Sequence, residues 1–437
     1  MKRLLTTLIL PTFLLAQSYP EVISDLDHSL ALQSARQLET AAWESYRAAE
    51  GKNLPSLDAN LNALKFQETP TVTFRLPPAM TPMTAPMGTK NHAEGSLTLT
   101  YPLFSGFAIS ASIEKAKLAH EKASLQVADL KRNLYLSTTM LYSSVIAFDQ
   151  IIAAQEEAKK AITESHTKAK GLYDNGLLAP AELYAIEAKK FEIEAQITES
   201  QNKKQQTLNQ LSYLTNTAVT SAGIVVHVLP IPEKNEMVRI ALSNREDLRA
   251  LSKAMDMAQT DVTVAQSRYY PNLTLVGALK RQGDSLELNG DGYSNADKSY
   301  AGVAASWNLF NGLSDMHTTE AAQAAKLSVQ MTVEDYKHRI ETEIDNAYLD
   351  INALQSQLQS AKMQVKASGE YAKLTHGRFD NQLSSADELS RSIADLASAK
   401  AKQASLESEL FNQSAALWLK GGLNAFQEKV IPITANH

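Results

Sequence analysis

A stretch that occurs twice sets the architecture of this chain. Residues 101–106 read YPLFSG and residues 307–312 read WNLFNG, 206 positions apart. The runs 171–183 (GLYDNGLLAPAEL) and 377–389 (GRFDNQLSSADEL) match at the same offset of 206. Repetition at one offset predicts a single body in two similar halves, not the two or three unrelated domains that 437 residues could hold. Each half runs from an alternating strand through a long helix to a tight turn and a returning helix.

The chain starts MKRLLTTLILPTFLLAQSYP, with Lys2 and Arg3, an apolar run from Leu4 to Leu15, and a small-x-small site at Ala16-Gln17-Ser18. This predicts a secretory signal peptide over 1–18. A buried N-terminal helix is the alternative, but the run is too short to span a bilayer and Pro11 disfavours a core helix. Without Lys2 and Arg3 the charge goes from −6 to −8, 40 basic residues against 48 acidic. A mildly acidic chain gives no reason to expect nucleic acid as a partner. There is no cysteine, hence no disulfide and no thiol at the cleavage site to carry a lipid. No later stretch is long and apolar enough for a transmembrane helix.

A helix is expected over 21–52, stopped at Gly51 and Leu54-Pro55. Then Leu57, Ala59, Leu61 and Ala63 alternate with Asp58, Asn60 and Asn62, a strand over 56–65. Residues 66–94 hold five of the 14 prolines and are expected to be an irregular loop. Leu97, Leu99 and Tyr101 mark a second strand over 95–104, and the later half repeats the pair over 272–280 and 300–310. A soluble sandwich would alternate in the same way. Three features favour a membrane: strands of about 9–11 residues, long enough to cross when tilted; aromatics at one end (Tyr101, Phe104, Tyr269, Tyr270, Trp307, Phe310); and a strongly polar opposite face. Four strands cannot close a barrel, and open edges are not tolerated in hydrocarbon, so several chains must contribute to one barrel.

After Gly106 the pattern becomes a heptad, from Ile109 and Ile113 through Leu130, Leu134 and Leu141 to Ile151, and again from Ile340 to Val365. The long helices 107–171 and 313–377 are each roughly 100 Å. The returning helices are 177–214 and 385–419, and a further helix runs over about 236–266. By the same rise, 177–214 and 236–266 are roughly 57 and 45 Å, so together they match one long helix. The linker 217–235 is expected halfway along as an equatorial belt, and 421–437 as a C-terminal tail.

With these parts in place, the chain resembles the outer-membrane efflux protein family, the TolC-like exit ducts, over about 21–420. The resemblance rests on the two Leu-Phe-x-Gly junctions (Leu103, Phe104, Gly106; Leu309, Phe310, Gly312) and the two tip turns. It also rests on Asn244-Arg245-Glu246-Asp247-Leu248, where the family has Pro at the position of Glu246. It implies a mixed α and β membrane protein. Three protomers would share a 12-stranded barrel, four strands each, continued by a long α-helical coiled-coil barrel across the periplasm of a Gram-negative cell. It also implies a homotrimer working with a periplasmic adaptor and a proton- or ATP-driven inner-membrane pump, for efflux or type I secretion. Adaptor docking would fall on Tyr173, Gly176 and Leu177, and on Phe379 and Leu383 in the second copy, where Gln382 replaces Gly. The periplasmic gate would fall on Asp387, Glu388 and Arg391. The Arg stands where a second acid is common and permits a Glu–Arg network between protomers.

Met80, Met83, Met87 and His92 offer soft ligands, but their spacing is irregular and an external loop is the expected reading. The nine histidines form no i, i+4 pair, and no nucleophile elbow, P-loop or dinucleotide fingerprint is present, so neither an enzyme nor a cofactor is expected. The expectation is therefore a passive outer-membrane duct gated at its helical tip. The alternative is a periplasmic coiled-coil adaptor or scaffold without membrane strands.

Overall fold

The computed structural model describes residues 17–75, 77–78, 81–223 and 229–435. Most of the expected signal peptide, Met80 and the centre of the linker lie outside the described residues. The chain divides into two compact units.

One unit comprises Glu39–Ala123 and Leu251–Val333. It holds strands β1 (Ser56–Lys65), β2 (Thr71–Arg75), β3 (Pro82–Pro86), β4 (Asn91–Ser105), β5 (Asn272–Gly283) and β6 (Tyr300–Ser306). β1, β4, β5 and β6 form one antiparallel sheet in that order. Paired residues share a face, and the register gathers the apolar positions. Leu57 opposes Leu99, Ala59 opposes Leu97, Leu97 opposes Leu279, and Leu275 opposes both Tyr101 and Val303. The other face collects Asp58, Asn60, Asn62, Ser96, Thr98 and Lys280, with Lys280 Nζ 2.8 Å from Glu94. On the apolar face Leu57, Leu61, Leu279 and Val303 remain exposed.

The run 66–94, expected to be irregular, instead carries the β2–β3 hairpin, with Thr73 and Thr84 hydroxyls 2.9 Å apart across it. Prolines sit at both ends of β3, where a ladder tolerates a missing donor. The strand expected over 300–310 ends at Ser306. Beyond it, Trp307 Nε1 donates to the Tyr269 carbonyl and Asn308 Oδ1 accepts from Phe310 N–H, which turns the chain out of the ladder.

The other unit comprises the chain up to Leu38, Ser124–Ala250 and Glu334 onward. The helices of the chain are α1 (Tyr19–Asp25), α2 (Leu30–Gly51), α3 (Ala108–Asp174), α4 (Pro180–Thr215), α5 (Lys234–Asn244), α6 (Glu246–Gln266), α7 (Ser314–Asp380), α8 (Ala386–Lys420), α9 (Leu423–Lys429) and α10 (Ile431–Ala435), of which α2, α3, α6 and α7 each have residues in both units. α3 and α7 have 67 residues each, about 100 Å by helical rise. Two helices expected as single pieces are divided. The run 21–52 is α1 and α2 with a tight turn at Leu26–His28 between them. The run 236–266 breaks at Arg245, whose backbone is extended (φ −62°, ψ 122°) and whose side chain is buried among carboxylates. Among the described residues no helix is long and apolar enough to cross a membrane.

Two cores hold this unit. One surrounds Tyr19, which stacks edge-on against Tyr142 (5.3 Å) and Phe411 (5.9 Å) while its hydroxyl meets Thr139 at 2.6 Å. The other lies beneath the tip turns and includes Ile162, Ile186, Phe379, Leu389 and Ile393.

Candidate functional site

The tip turns have the same backbone in both copies. In the first, Leu177 N–H donates to the Leu172 carbonyl and Gly176 N–H to that of Tyr173, both at 2.9 Å. In the second, Leu383 N–H donates to Arg378 at 2.8 Å and Gln382 N–H to Phe379 at 2.9 Å. This paired closure of a helix end places one residue in the left-handed region. Gly176 takes it at φ 70° and Gln382 at φ 60°. Asn175 and Asn381 each donate 2.7 Å bonds back to the carbonyls of Gly171 and Gly377. Replacing Gly by Gln therefore leaves the turn geometry intact and adds only local strain.

The residues expected at the docking tip separate into two sets. Tyr173 is 39% exposed, Leu177 67% and Leu383 68%. Phe379 is 4% exposed and belongs to the core below the turns. Its ring anchors the second turn and presents no surface, a correction to its reading as a docking residue. Nothing in the spacing distinguishes Phe379 from Tyr173; the loss of the hydroxyl is the one clue.

At the positions expected to form the gate, Ser385 caps α8 and accepts from Glu388 N–H at 3.1 Å. The Glu388 carboxylate turns toward the preceding helix end. It accepts from Ser384 Oγ at 2.7 Å and Tyr371 OH at 3.3 Å, and lies 3.5 Å from Arg378. The Ser384 bond, followed by the Arg378 charge and the Tyr371 hydroxyl, holds this carboxyl below its usual range. Arg391, 74% exposed, pairs with Asp387 at 2.9 Å. The acid–arginine contact within the chain is thus made to Glu388 by Arg378 and not by Arg391. Arg378 and Ser384 both lie within the repeated run 377–389, whereas Tyr371 belongs to no motif.

Besides the shared core, polar contacts join the copies at this end. Lys168 Nζ lies 2.7 Å from Asp380, and Glu182 accepts from the Ala386 N–H at 3.3 Å. The Lys168 bond leads the effects that depress the Asp380 carboxyl.

At the strand–helix junctions Gly106 (φ 60°) and Gly312 (φ 70°) reverse the chain, each followed by a further left-handed residue, Phe107 and Leu313. A bulge between Pro102 and Phe104 leaves Leu103 without a partner and pairs Phe104 with Leu273 on the apolar face. Phe104, Phe107 and Tyr270 form an edge-to-face trio. Leu309 and Phe310 are exposed in the second copy.

A duplicated strand–helix–turn–helix unit, with an exposed apolar sheet face, defines a channel-type membrane protein built in two halves. The profile described as outer membrane efflux protein matches residues 24–217 and 237–419, and the chain belongs to that family. Such proteins are outer-membrane channels of Gram-negative cells with a periplasmic helical extension. They are trimeric, work with adaptors and inner-membrane pumps, and are not enzymes.

The solved structures agree on the fold. The outer-membrane channel OprN matches at TM-score 0.76 and 19% identity over 93% of this chain and 90% of its own. VceC from Vibrio cholerae matches at 0.77 and 18% over 92% of this chain and 96% of its own. The open-state MtrE channel from Neisseria gonorrhoeae matches at 0.74 and 17% over 93% of this chain and 89% of its own. A curated relative, Nodulation protein T from Rhizobium leguminosarum bv. trifolii, is 26% identical over 148 residues, 34% of this chain and 31% of that protein.

Proposed function

We propose that three copies of this chain form the exit duct of a tripartite efflux or type I secretion system. The observation that carries this reading is the four-stranded sheet whose outer strands, β1 and β6, have no partner on their free edges among the described residues. Open edges leave backbone groups unsatisfied in hydrocarbon, and three such sheets supply twelve strands for a closed barrel. A heat-modifiable trimer in outer-membrane fractions supports the reading; a mature chain soluble without detergent overturns it.

Adaptor docking is assigned to Tyr173, Leu177 and Leu383 at the exposed turns, with Gly176 setting the first turn's backbone. The gate is assigned to Glu388 with Asp387 and Arg391, extended to Arg378 and Tyr371. The bonds of Glu388 to Arg378 and Tyr371 tie the start of α8 to the end of α7, so parting them frees the turn. Replacing Glu388 and Arg391 together is expected to raise single-channel conductance in planar bilayers. Unchanged conductance would remove them from the gate. Passage is passive, with selectivity set by charge and constriction.

A further inference from the structure

Glu246 stands where the family pattern has proline, and its side chain is engaged far from its place in sequence. It begins α6, a position where proline serves well because the N–H there has no helical partner. A glutamate in a first turn ordinarily points to water; this one is 4% exposed. Its Oε1 accepts a 2.9 Å bond from the N–H of Leu423, 177 residues away.

Leu423 opens α9, and the residue at the cap position before it is Gly422, at φ 110°, with no side chain to accept from the helix start. Glu246 supplies that missing cap from another segment. Arg132 does the converse for α8. Its Nη1 donates to the Leu419 carbonyl at 3.4 Å, at the helix end where a cation is favourable. Arg132 Nε lies 3.6 Å from Glu246 Oε2, an oxygen with no hydrogen bond of its own. Asp129 at 2.5 Å and Asp247 at 3.2 Å hold the guanidinium in place.

We propose that Arg132 and Glu246 are a clasp on the α8–α9 corner, one closing the end of α8 and the other the start of α9. The clasp fixes the far end of the helix whose first turn carries Asp387 and Glu388. It is a positioning pair for the gate, and this consequence rests on the gate reading above.

E246P tests it with little backbone disturbance, because Arg245 is already in the extended conformation that a following proline requires. In the purified full-length trimer, E246P and E246A are expected to raise the rate of tryptic cleavage after Lys420 about tenfold, the size of one lost charged cap. E246Q keeps an acceptor oxygen and should stay within about twofold of the parent, on the same cap arithmetic. In planar bilayers E246P should raise conductance and E246Q should not.

Equal cleavage in E246Q and E246P, or none above the parent in E246P, overturns the clasp. Faster cleavage with unchanged conductance overturns the positioning role, provided the Glu388 and Arg391 double variant does shift conductance. If that double variant shifts nothing, the gate reading has failed, and the clasp stands or falls on cleavage alone.

Discussion

Gly106 and Gly312 hold the same place in the two copies, yet their surroundings demand different things of them. A Cβ on Gly106 would strike the Ser267 carbonyl and come within 3.0 Å of Tyr270 Cβ, whereas one on Gly312 meets nothing within 4 Å. Gly312→Ala is therefore expected to cost only the left-handed backbone term, about 1–2 kcal/mol. Gly106→Ala adds a backbone collision and should lower the denaturation midpoint several times further. Equal midpoints would show that the junction yields. The same backbone term has the opposite sign at the second tip turn, where Gln382→Gly should raise stability by about 1 kcal/mol. Buried carboxylates set the response to pH. Burial pushes the Glu246 carboxyl up, and the Leu423 N–H and Arg132 oppose that only in part. Burial also acts upward on Asp247 and Glu343, but Arg245 with Tyr336, Arg132 and Arg339 outweighs it, so both lie low. Asp129 and Lys420 face the same cluster. A raised folded value means that stability grows as pH falls through it toward the ordinary glutamate value. Depressed values mean that stability is lost as pH falls through them, at lower pH. E246Q should thus flatten the stability curve on its mildly acidic side and leave the acid limb unchanged, as read by thermal denaturation across pH. A curve unaltered by E246Q would place the titration elsewhere.

At the scale of elements, α8 begins with a cap that also positions the carboxylate proposed for the gate. Ser385 accepts from Glu388 N–H, and Ser384 grips the Glu388 carboxylate. Ser385→Ala should cost about 1 kcal/mol of helix start and speed amide exchange at Glu388. Exchange unchanged at Glu388 would mean that the Arg378 and Tyr371 contacts alone hold the turn. How legible an element was in the sequence followed from how local its cause is. The alternation of Leu57, Ala59 and Leu61 and the heptads after Gly106 show directly, because each position reports its own face. The tip turns were legible because Asn-Gly and Asn-Gln act on their own backbone. The break at Arg245 was not, since it depends on Asp247 and on Glu343, 98 positions away at 2.8 Å. Burial of Phe379 and the Tyr371 bond to Glu388 were hidden for the same reason: they depend on which helices meet. The proline content of 66–94 reads as irregularity, yet Pro82 and Pro86 bound a strand whose cross-strand pairing with 71–75 carries no periodic signal of its own.

The whole molecule is tested by the sheet, because its two faces make opposite demands on the same substitution. Leu97 lies at the middle of the apolar face between Ala59 and Leu279, and Thr98 lies one step along on the polar face between Asp58 and Ala278. In a barrel made by several chains, the first side chain meets lipid and the second meets water. An arginine at a lipid-facing midplane position costs about 2–4 kcal/mol in each chain, and three chains share one barrel. An arginine at 98 stands opposite Asp58 and enters a watered lumen, where its charge needs no lipid. Leu97→Arg should therefore abolish the heat-modifiable trimer in outer-membrane fractions, while Thr98→Arg assembles normally and alters ion selectivity in planar bilayers. A soluble sandwich would bury the same apolar face and suffer from Leu97→Arg as well, but its parent and Thr98→Arg forms would then fold free of the outer-membrane fraction and without a heat-modifiable trimer. Equal assembly of the two variants would leave neither face in lipid and would overturn the duct at the level of the assembled molecule.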